Sequence, residues 1–205
     1  GISKGKYFTG DNSTGIAENS AGALEVFAST LATLKPNVKK VAVFHSKAPL
    51  LAEKTEELRL MLLKKGIETE SITASTAEEV HEFVHAKISP ALDLVLLLRD
   101  GVMLGYLQKI LRKCRMERVP CIASDPQSAA EGAAAAISVE EKELTKLTAR
   151  MIVKVLKGKK SAGSIPIAHF SSADLYKLYV NRRELKTQGM NIKSLAKFFV
   201  SGQPQ

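Results

Sequence analysis

Residues 93–125 read DLVLLLRD, GVMLGYLQKILRKCRMER and VPCIASD, and this stretch decides the fold. Its middle part carries apolar residues at helical spacing: Leu104, Leu107, Ile110, Leu111 and Cys114. The apolar runs on either side are continuous rather than alternating, which is typical of strands buried on both faces of a sheet. Two strands joined by a helix are expected to be parallel with a right-handed crossover. The stretch therefore predicts a strand–helix–strand unit.

The residues before this stretch repeat the same alternation of helix and strand. Helices are predicted over 20–35, 49–65 and 76–87, the last with Thr76 and Glu79 as a capping box. Strands are predicted over 40–44 and 67–72, and the alternating pattern of 67–72 indicates a strand at or near the sheet edge. Residues 20–131 therefore predict an α/β fold, a doubly wound parallel sheet in a three-layer α/β/α lobe.

Polar residues follow each predicted strand of this lobe. Because parallel strands end at the same edge, these residues are expected to share one rim, where open parallel sheets bind ligands. The sharpest crevice is expected between the first and third strands of the lobe, where the strand order reverses. The predicted ligand-binding residues are His45, Ser46, Arg99, Asp100, Gly101, Ser124 and Asp125.

Asp100 and Asp125 each have more than one interpretation. Both precede a helix, and Asp125 precedes Pro126, which is an ordinary N-cap arrangement. A carboxylate at a strand end can also bind a ligand amine, or act with a second carboxylate in acid–base chemistry. Capping and ligand binding are compatible, because one carboxylate can accept several hydrogen bonds.

The remainder of the chain has a different pattern. Residues 1–19 are polar and predict a loop, and 132–137 form a short run of small residues. A helix is predicted over 140–156 with these residues inward: Leu144, Leu147, Met151, Ile152 and Val155. Strands are predicted over 165–170 and 175–180, and short helices over 182–186 and 192–199.

Composition limits the classes of function. The 205 residues are 45% hydrophobic, which allows a sizeable core, and no apolar run approaches the length of about 20 residues that crosses a bilayer. The net charge of +9 allows nucleic acid or an anionic membrane surface as partner. Most basic clusters fall in predicted C-terminal turns of helices, where they complement the helix dipole, and no aromatic residues interleave with them, so nucleic acid is not expected.

Three further patterns resemble chemical sites. His81-Glu82-Phe83-Val84-His85 matches a zinc-peptidase pattern, but its apolar positions must face the sheet, so solvated histidines are expected. His45 and Ser46 are adjacent on a strand end and point to opposite sides, which disfavours a nucleophilic pair. Cys114 and Cys121 indicate buried free thiols or a single bridge. No catalytic residue, cofactor or metal is expected.

Several motifs in order resemble one known family. They are Asn12 to Ile16 ("NxTG"), Leu34 to Val43 ("LPNVKRVGVL"), Asp93 to Asp100 ("DAIYVPTD"), Val119 to Asp125 ("IPVFASD") and the block Gly132 to Gly158. Together they resemble the extracytoplasmic substrate-binding proteins of ABC importers, in the subgroup of tryptophan and aromatic amino-acid binders.

This resemblance implies a two-lobed clamshell of the type I periplasmic-binding kind. Residues 1–19 would be an inter-lobe crossover, 20–131 the ligand-binding lobe, 132–160 a segment returning toward the first lobe, and 161–205 a return with the C-terminal tail. Most of the first lobe would lie outside this chain. The implied partners are a small amino-acid-like solute and an ABC permease, at an extracytoplasmic location, with a possible lipid anchor outside this chain as the only membrane attachment.

The sequence also departs from the family pattern. Arg99 adds a positive charge where the family has threonine, and residues 138–145 lack the family's two tyrosines. Aromatic stacking from that block is therefore absent. The alternative function is a degenerate lobe that acts as a protein-interaction or sensory module without a small ligand.

Overall fold

A six-stranded sheet forms the centre of the larger of the two units into which the chain divides. The computed structural model describes residues 13–18, 20–158, 161–170, 176–188 and 190. The small unit comprises residues 1–23 and 139–176, and the large unit comprises 24–138 and 177–205. The sequence predicts boundaries after residues 19, 131 and 160, and that assignment of lobes stays a prediction.

The strands are β1 (Ile16–Glu18), β2 (Lys40–His45), β3 (Glu68–Thr73), β4 (Leu94–Leu97), β5 (Cys121–Ala123), β6 (Ala135–Val139), β7 (Ala168–Phe170) and β8 (Tyr176–Val180). The helices are α1 (Ser20–Leu34), α2 (Pro49–Leu63), α3 (Ala77–Lys87), α4 (Gly101–Gly105), α5 (Leu107–Glu117), α6 (Pro126–Glu131), α7 (Glu141–Gly158) and α8 (Arg182–Thr187).

The sheet of the large unit has the order β3-β2-β4-β5-β6-β8. Strands β2 to β6 pair in parallel, as the continuous apolar runs predict. The first and third strands of the lobe, β2 and β4, are neighbours, and β3 lies at an edge. The backbone N–H of Asn181, directly after β8, donates to Ala134 O just before β6 at 3.1 Å, so β8 runs antiparallel to β6. The α/β fold with a doubly wound sheet is thus confirmed.

The main core lies between the sheet and the helices α3 and α5. It includes Phe44 and Leu97 from the strands, Val84 from α3 and Ile110 from α5, all buried. Helix α2 contacts β2 and β3 and buries Leu58, and helix α1 buries its own stripe of apolar residues, all outside the core formed with α3 and α5. Burial on both faces explains why the central strands are apolar throughout.

The helix predicted after Asp100 differs from expectation. It is two helices, α4 and α5, interrupted at Tyr106, whose backbone angles (φ −114°, ψ 11°) are not helical. Gly105, a poor helix former, precedes the break. The break changes the inward face, so Met103 is fully buried and Leu104 is only partly buried.

The small unit contains a two-stranded parallel sheet and helix α7. Strand β1 pairs with β7, with Ile16 opposite Ala168. The predicted loop over 1–19 is therefore wrong at residues 16–18, because their strand conformation depends on a partner about 150 residues away in sequence. Thr14 Oγ1 also donates to Ile165 O at 3.0 Å.

Helix α7 buries less than its pattern predicts. Met151 is buried, but Ile152, predicted inward, is 52% exposed, and Leu156 is 75% exposed. Periodicity identifies an apolar face without identifying what covers it. The predicted helix over 192–199 lies outside the described residues. In the described part of the chain, no helix has both the length and the apolar character that a membrane span requires.

Candidate functional site

The predicted site residues lie at the carboxyl ends of β2, β4 and β5 in the large unit. We call residues 45–46, 99–101 and 124–125 the polar rim. Hydrogen bonds join the three segments of the polar rim: Ser46 N–H donates to Asp100 Oδ2, and Arg99 N–H donates to Ser124 Oγ at 2.6 Å. The structure therefore brings these residues together, as the parallel topology predicts.

Asp100 is buried and acts on two elements at once. Its Oδ1 accepts from Val102 N–H at 2.9 Å, which caps α4, and its Oδ2 accepts from Ser46 N–H at the end of β2. A carboxylate that accepts two backbone N–H groups fixes both segments. The capping interpretation is confirmed. The hydrogen bond that Asp100 accepts from Ser46 N–H is a second role, which the sequence did not reveal.

Asp125 is also buried, and both of its oxygens bind one residue of α6. Oδ1 accepts from Ser128 N–H at 2.9 Å, and Oδ2 accepts from the Ser128 hydroxyl at 2.7 Å. Pro126 occupies the first turn of α6, where its missing N–H costs nothing. The sequence predicted the cap but not the Ser128 hydroxyl, because any serine three residues after an N-cap has the same appearance in sequence.

His45 is 2% exposed, and both ring nitrogens have partners. Nδ1 lies 2.7 Å from Ser46 O, and since a carbonyl only accepts, Nδ1 carries the hydrogen. Nε2, 2.8 Å from Ser71 Oγ on β3, then accepts from that hydroxyl when the ring is neutral. His45 is predicted as a ligand residue, but in this structure it joins β2 to the edge strand.

Arg99 and Gly101 are the exposed members of the polar rim. Within the described part of the chain, the Arg99 guanidinium has no carboxylate within ion-pairing distance. Gly101 has open space where a Cβ would stand. The polar rim therefore offers one available guanidinium beside two buried carboxylates, each of which can accept further hydrogen bonds.

One ion pair flanks the polar rim. Lys47 Nζ lies 2.6 Å from Glu79 Oε1, and Ser75 N–H donates to Glu79 Oε2 at 2.8 Å. The Lys47 ammonium, followed by the Ser75 N–H, lowers the pKa of Glu79. Thr76 Oγ1 caps α3 through Glu79 N–H at 3.2 Å, and the Glu79 carboxylate accepts from Ser75 N–H, with a smaller contribution from Thr76 N–H to its lowered pKa. This pair fixes the loop after β3 beside the loop after β2.

The zinc-peptidase pattern does not assemble a metal site. His81 and His85 are exposed on α3, with their rings 4.6 Å apart. No group of three His, Cys, Asp or Glu side chains that could hold a metal occurs among the residues that the structure describes. The predicted solvated histidines are confirmed.

The two thiols are free and buried in the core of the large unit. A hydrogen bond with the Cys114 thiol, and then burial, raise the pKa of the Cys121 thiol. A buried thiol with a raised pKa is a poor nucleophile. These residues therefore belong to the packing between α5 and β5 and not to the polar rim.

The small unit contains an apolar groove of about 230 Å³ between β1 and α7. Gly15 and Ile16 line one wall, and Met151, Ile152 and Leu156 line the other. The groove lacks charged residues in its lining. Its chemistry suits an apolar side chain and not a polar solute.

The sequence matches the family described as ABC transporter substrate binding protein over residues 1–197. A tyrosine-binding protein of Clostridioides difficile is 23% identical over 159 residues, which are 77% of this chain and 45% of that protein. This chain therefore spans about half the length of that curated relative.

Solved structures show the same fold. An ABC domain from Streptococcus pneumoniae in complex with L-Trp has a TM-score of 0.79 at 21% identity, covering 96% of this chain and 65% of that one. A ligand-free, open substrate-binding protein with adhesive properties from Clostridium difficile has a TM-score of 0.75 at 20% identity, covering 99% and 67%. These neighbours have the type I periplasmic-binding fold.

Proposed function

The chain belongs to the ABC transporter substrate binding protein family, and from this premise we propose that it binds a small polar solute, an amino acid, at the polar rim. The solute would be held between two lobes and delivered to an ABC permease. The family binds substrates rather than transforming them, so we propose no catalytic role. The location would be extracytoplasmic, with a lipid anchor outside these 205 residues.

The observation that supports an amino acid is the charge arrangement of the polar rim. Arg99 is exposed and joined through its backbone to Ser124, one residue before Asp125, and its neighbour Asp100 is buried. A guanidinium beside two carboxylates matches a zwitterion, because it pairs with an α-carboxylate while an aspartate accepts from the α-amino group. The names of two relatives, which bind tyrosine and L-Trp, agree with this class of solute.

The second lobe is part of the same proposal. A two-stranded sheet such as that of β1 and β7 has little stability by itself. Helix α7, beside it in the small unit, leaves the apolar side chain of Leu156 75% exposed. We propose that further residues of a first lobe extend this sheet and cover this helix. Closure of that lobe would shield the polar rim from water and strengthen its charge pairs.

The test is isothermal titration of the full-length protein with amino acids and with amines that lack the carboxylate. Arg99→Gln should weaken amino-acid binding about ten- to one-hundredfold, because a charge-assisted hydrogen bond is lost. The same variant should leave binding of tyramine or tryptamine unchanged. Arg112→Gln, which neutralises an exposed cation on α5, is the matched control and should have no effect.

Equal amino-acid affinities for the wild type and Arg99→Gln would contradict the proposed contact. Absence of binding for every amino acid at millimolar concentration would contradict the function itself. That second result would favour the alternative of a protein-interaction module without a small ligand.

A further inference from the structure

The end of the large unit opposite the polar rim carries a concentration of exposed positive charge. In a parallel α/β sheet the connecting helices run against the strands, so α2 and α5 end where the strands begin. We call the exposed cations at this end the basic pole: Lys64, Lys65, Arg118, Arg182, Arg183 and Lys186. They follow or lie on three different helices.

Helix α8 lies along this end of the sheet. Asn181 N–H donates to Ala134 O just before β6, and Cys121 N–H at the start of β5 donates to Gln188 Oε1 at 3.3 Å. Its inward residues Glu184 and Leu185 are buried. The charged side chains of its first and last turns are therefore turned to solvent beside the end of α5.

The carboxylates at this end are largely engaged by other groups. Glu184 accepts from Arg115 Nε at 3.3 Å, and Glu117 pairs with Lys113. Asp93 accepts from two backbone N–H groups and lies 3.8 Å from Lys35 Nζ. Glu68 is the exposed exception. None of the six cations of the basic pole has an ion-pair partner among the described residues.

Exposed apolar side chains accompany the charges. Leu63, directly before Lys64, is 53% exposed, and Met116 in the last turn of α5 is 68% exposed. A surface that combines basic residues with isolated aliphatic side chains suits an anionic bilayer, where lysines attract headgroups and aliphatic groups enter the interface.

We propose that the basic pole of the large unit docks on an anionic lipid surface. The sequence alone suggests that Lys64 and Lys65 complement a helix dipole and that membrane association occurs only through an anchor. The structure adds that they share one end with Leu63 and Met116. The proposal is independent of which solute binds at the polar rim.

The first test is co-sedimentation of the 205-residue protein with vesicles of phosphatidylcholine alone or with about one third phosphatidylglycerol. Binding is expected only to the anionic vesicles and should fall steeply with salt. The variant Lys64→Gln/Lys65→Gln should bind about thirtyfold more weakly, because each basic residue near an anionic surface contributes about a factor of five. Lys47→Gln/Lys109→Gln, with the same charge change on exposed residues away from the basic pole, should bind within about twofold of the wild type.

The second test reports orientation. An environment-sensitive dye on Met116→Cys should shift to the blue on anionic vesicles, whereas the same dye on Leu50→Cys should not. Leu50 is a matched control because it is 62% exposed and lies at the other end of α2. The native thiols do not interfere, because Cys114 and Cys121 are fully buried.

Three outcomes would overturn the proposal. They are equal binding to neutral and anionic vesicles, equal losses in the two lysine pairs, and a dye response at position 50 as large as at position 116. Tighter binding to duplex DNA than to anionic vesicles at the same salt concentration would assign the basic pole to nucleic acid instead.

Discussion

At the scale of single residues, the aspartates of the polar rim have structural roles that are compatible with the proposed binding of a solute. Asp100 and Asp125 are 5% and 6% exposed and already accept two hydrogen bonds each. A ligand amine would add a third to a carboxylate that is already fixed in place. Such preorganisation lowers the conformational cost of binding. Arg99 is the exposed cation of the polar rim and the proposed contact for a solute carboxylate, so it is the residue to substitute in a test of solute preference.

Gly132 gives a stability prediction at this scale. Its φ is +124°, and a Cβ there would lie 2.4 Å from Arg115 Nη2, whose Nε contacts Glu184. Gly132→Ala should therefore lower the free energy of unfolding by about 1–3 kcal/mol through its strained backbone, because the contacted end of Arg115 belongs to a flexible, exposed side chain that can move aside. Gly66→Ala is the comparison, because its φ of +74° lies near the left-handed region that L residues can adopt and its surroundings are open, and it should cost about 1 kcal/mol.

Urea denaturation followed by circular dichroism measures both variants. The loss caused by Gly132→Ala should be nearly the same in an Arg115→Ala background, because the strained backbone remains when the contacted side chain is removed. Recovery of most of the loss in that background would show that contact with Arg115 causes it.

The residue types of the polar rim could be predicted from sequence, but their partners could not. Asp125 before Pro126 marks a cap in any context. The contact between Asp100 and Ser46 spans 54 residues of sequence. The contact between His45 and Ser71 joins β2 to β3 and forms only in the observed register of the two strands. Such contacts depend on strand order and register, which a local pattern does not contain.

At the scale of elements, Asp93 links two strands where they begin. Its Oδ2 accepts from Lys39 N–H at 2.8 Å and Lys40 N–H at 2.9 Å, at the start of β2. Burial tends to raise the pKa of Asp93, but these N–H groups and the Lys35 ammonium together hold it below its usual range. A pKa depressed on folding makes Asp93 stabilising above its unfolded pKa of about 4, and this stability is lost as the pH falls through the folded value.

Asp93→Ala should lower the free energy of unfolding by about 1–2 kcal/mol at pH 7, because two backbone N–H groups lose their acceptor while solvent screens the partly exposed charge. The difference from the wild type should shrink below about pH 4, where the wild-type carboxylate becomes protonated. Thermal or urea denaturation across pH 2–7 provides the measurement. A difference that stays constant over this range would exclude the ionised carboxylate as its source.

The strand–helix–strand units of the large unit were predictable because their hydrophobic patterns are strong and local. The break at Tyr106 was not, since one glycine within an otherwise regular helical pattern is commonly tolerated. Strand β1 was missed because three polar-flanked residues have no periodicity. In α7 the apolar face could be predicted from the spacing of hydrophobic residues. That spacing does not show which part of the protein packs against the face.

At the scale of the whole molecule, the exposed face of α7 gives a prediction about the first lobe. In the 205-residue chain, Ile152→Ser/Leu156→Ser should leave the free energy of unfolding within about 0.5 kcal/mol of the wild type, because both side chains are more than half exposed. In the full-length protein the same pair should cost about 2–4 kcal/mol, because the proposed first lobe would bury them.

Leu60→Ser on α2, 45% exposed, is the control and should be near neutral in both proteins. Denaturation of the two proteins side by side provides the comparison. A near-neutral effect of the α7 pair in the full-length protein would show that nothing covers this face.

The late position of strand β8 in the sequence affects how the large unit folds during synthesis. The strand pairs with β6 across an intervening segment that belongs mainly to the small unit, so the sheet is completed only by residues 176–180. During synthesis, β6 leaves the ribosome tens of residues before its partner and keeps an unpaired edge for seconds. Such an edge can template aggregation, and pairing across a long sequence separation slows folding. The nascent chain is therefore most vulnerable in the interval before β8 emerges, which is when chaperone protection would matter most.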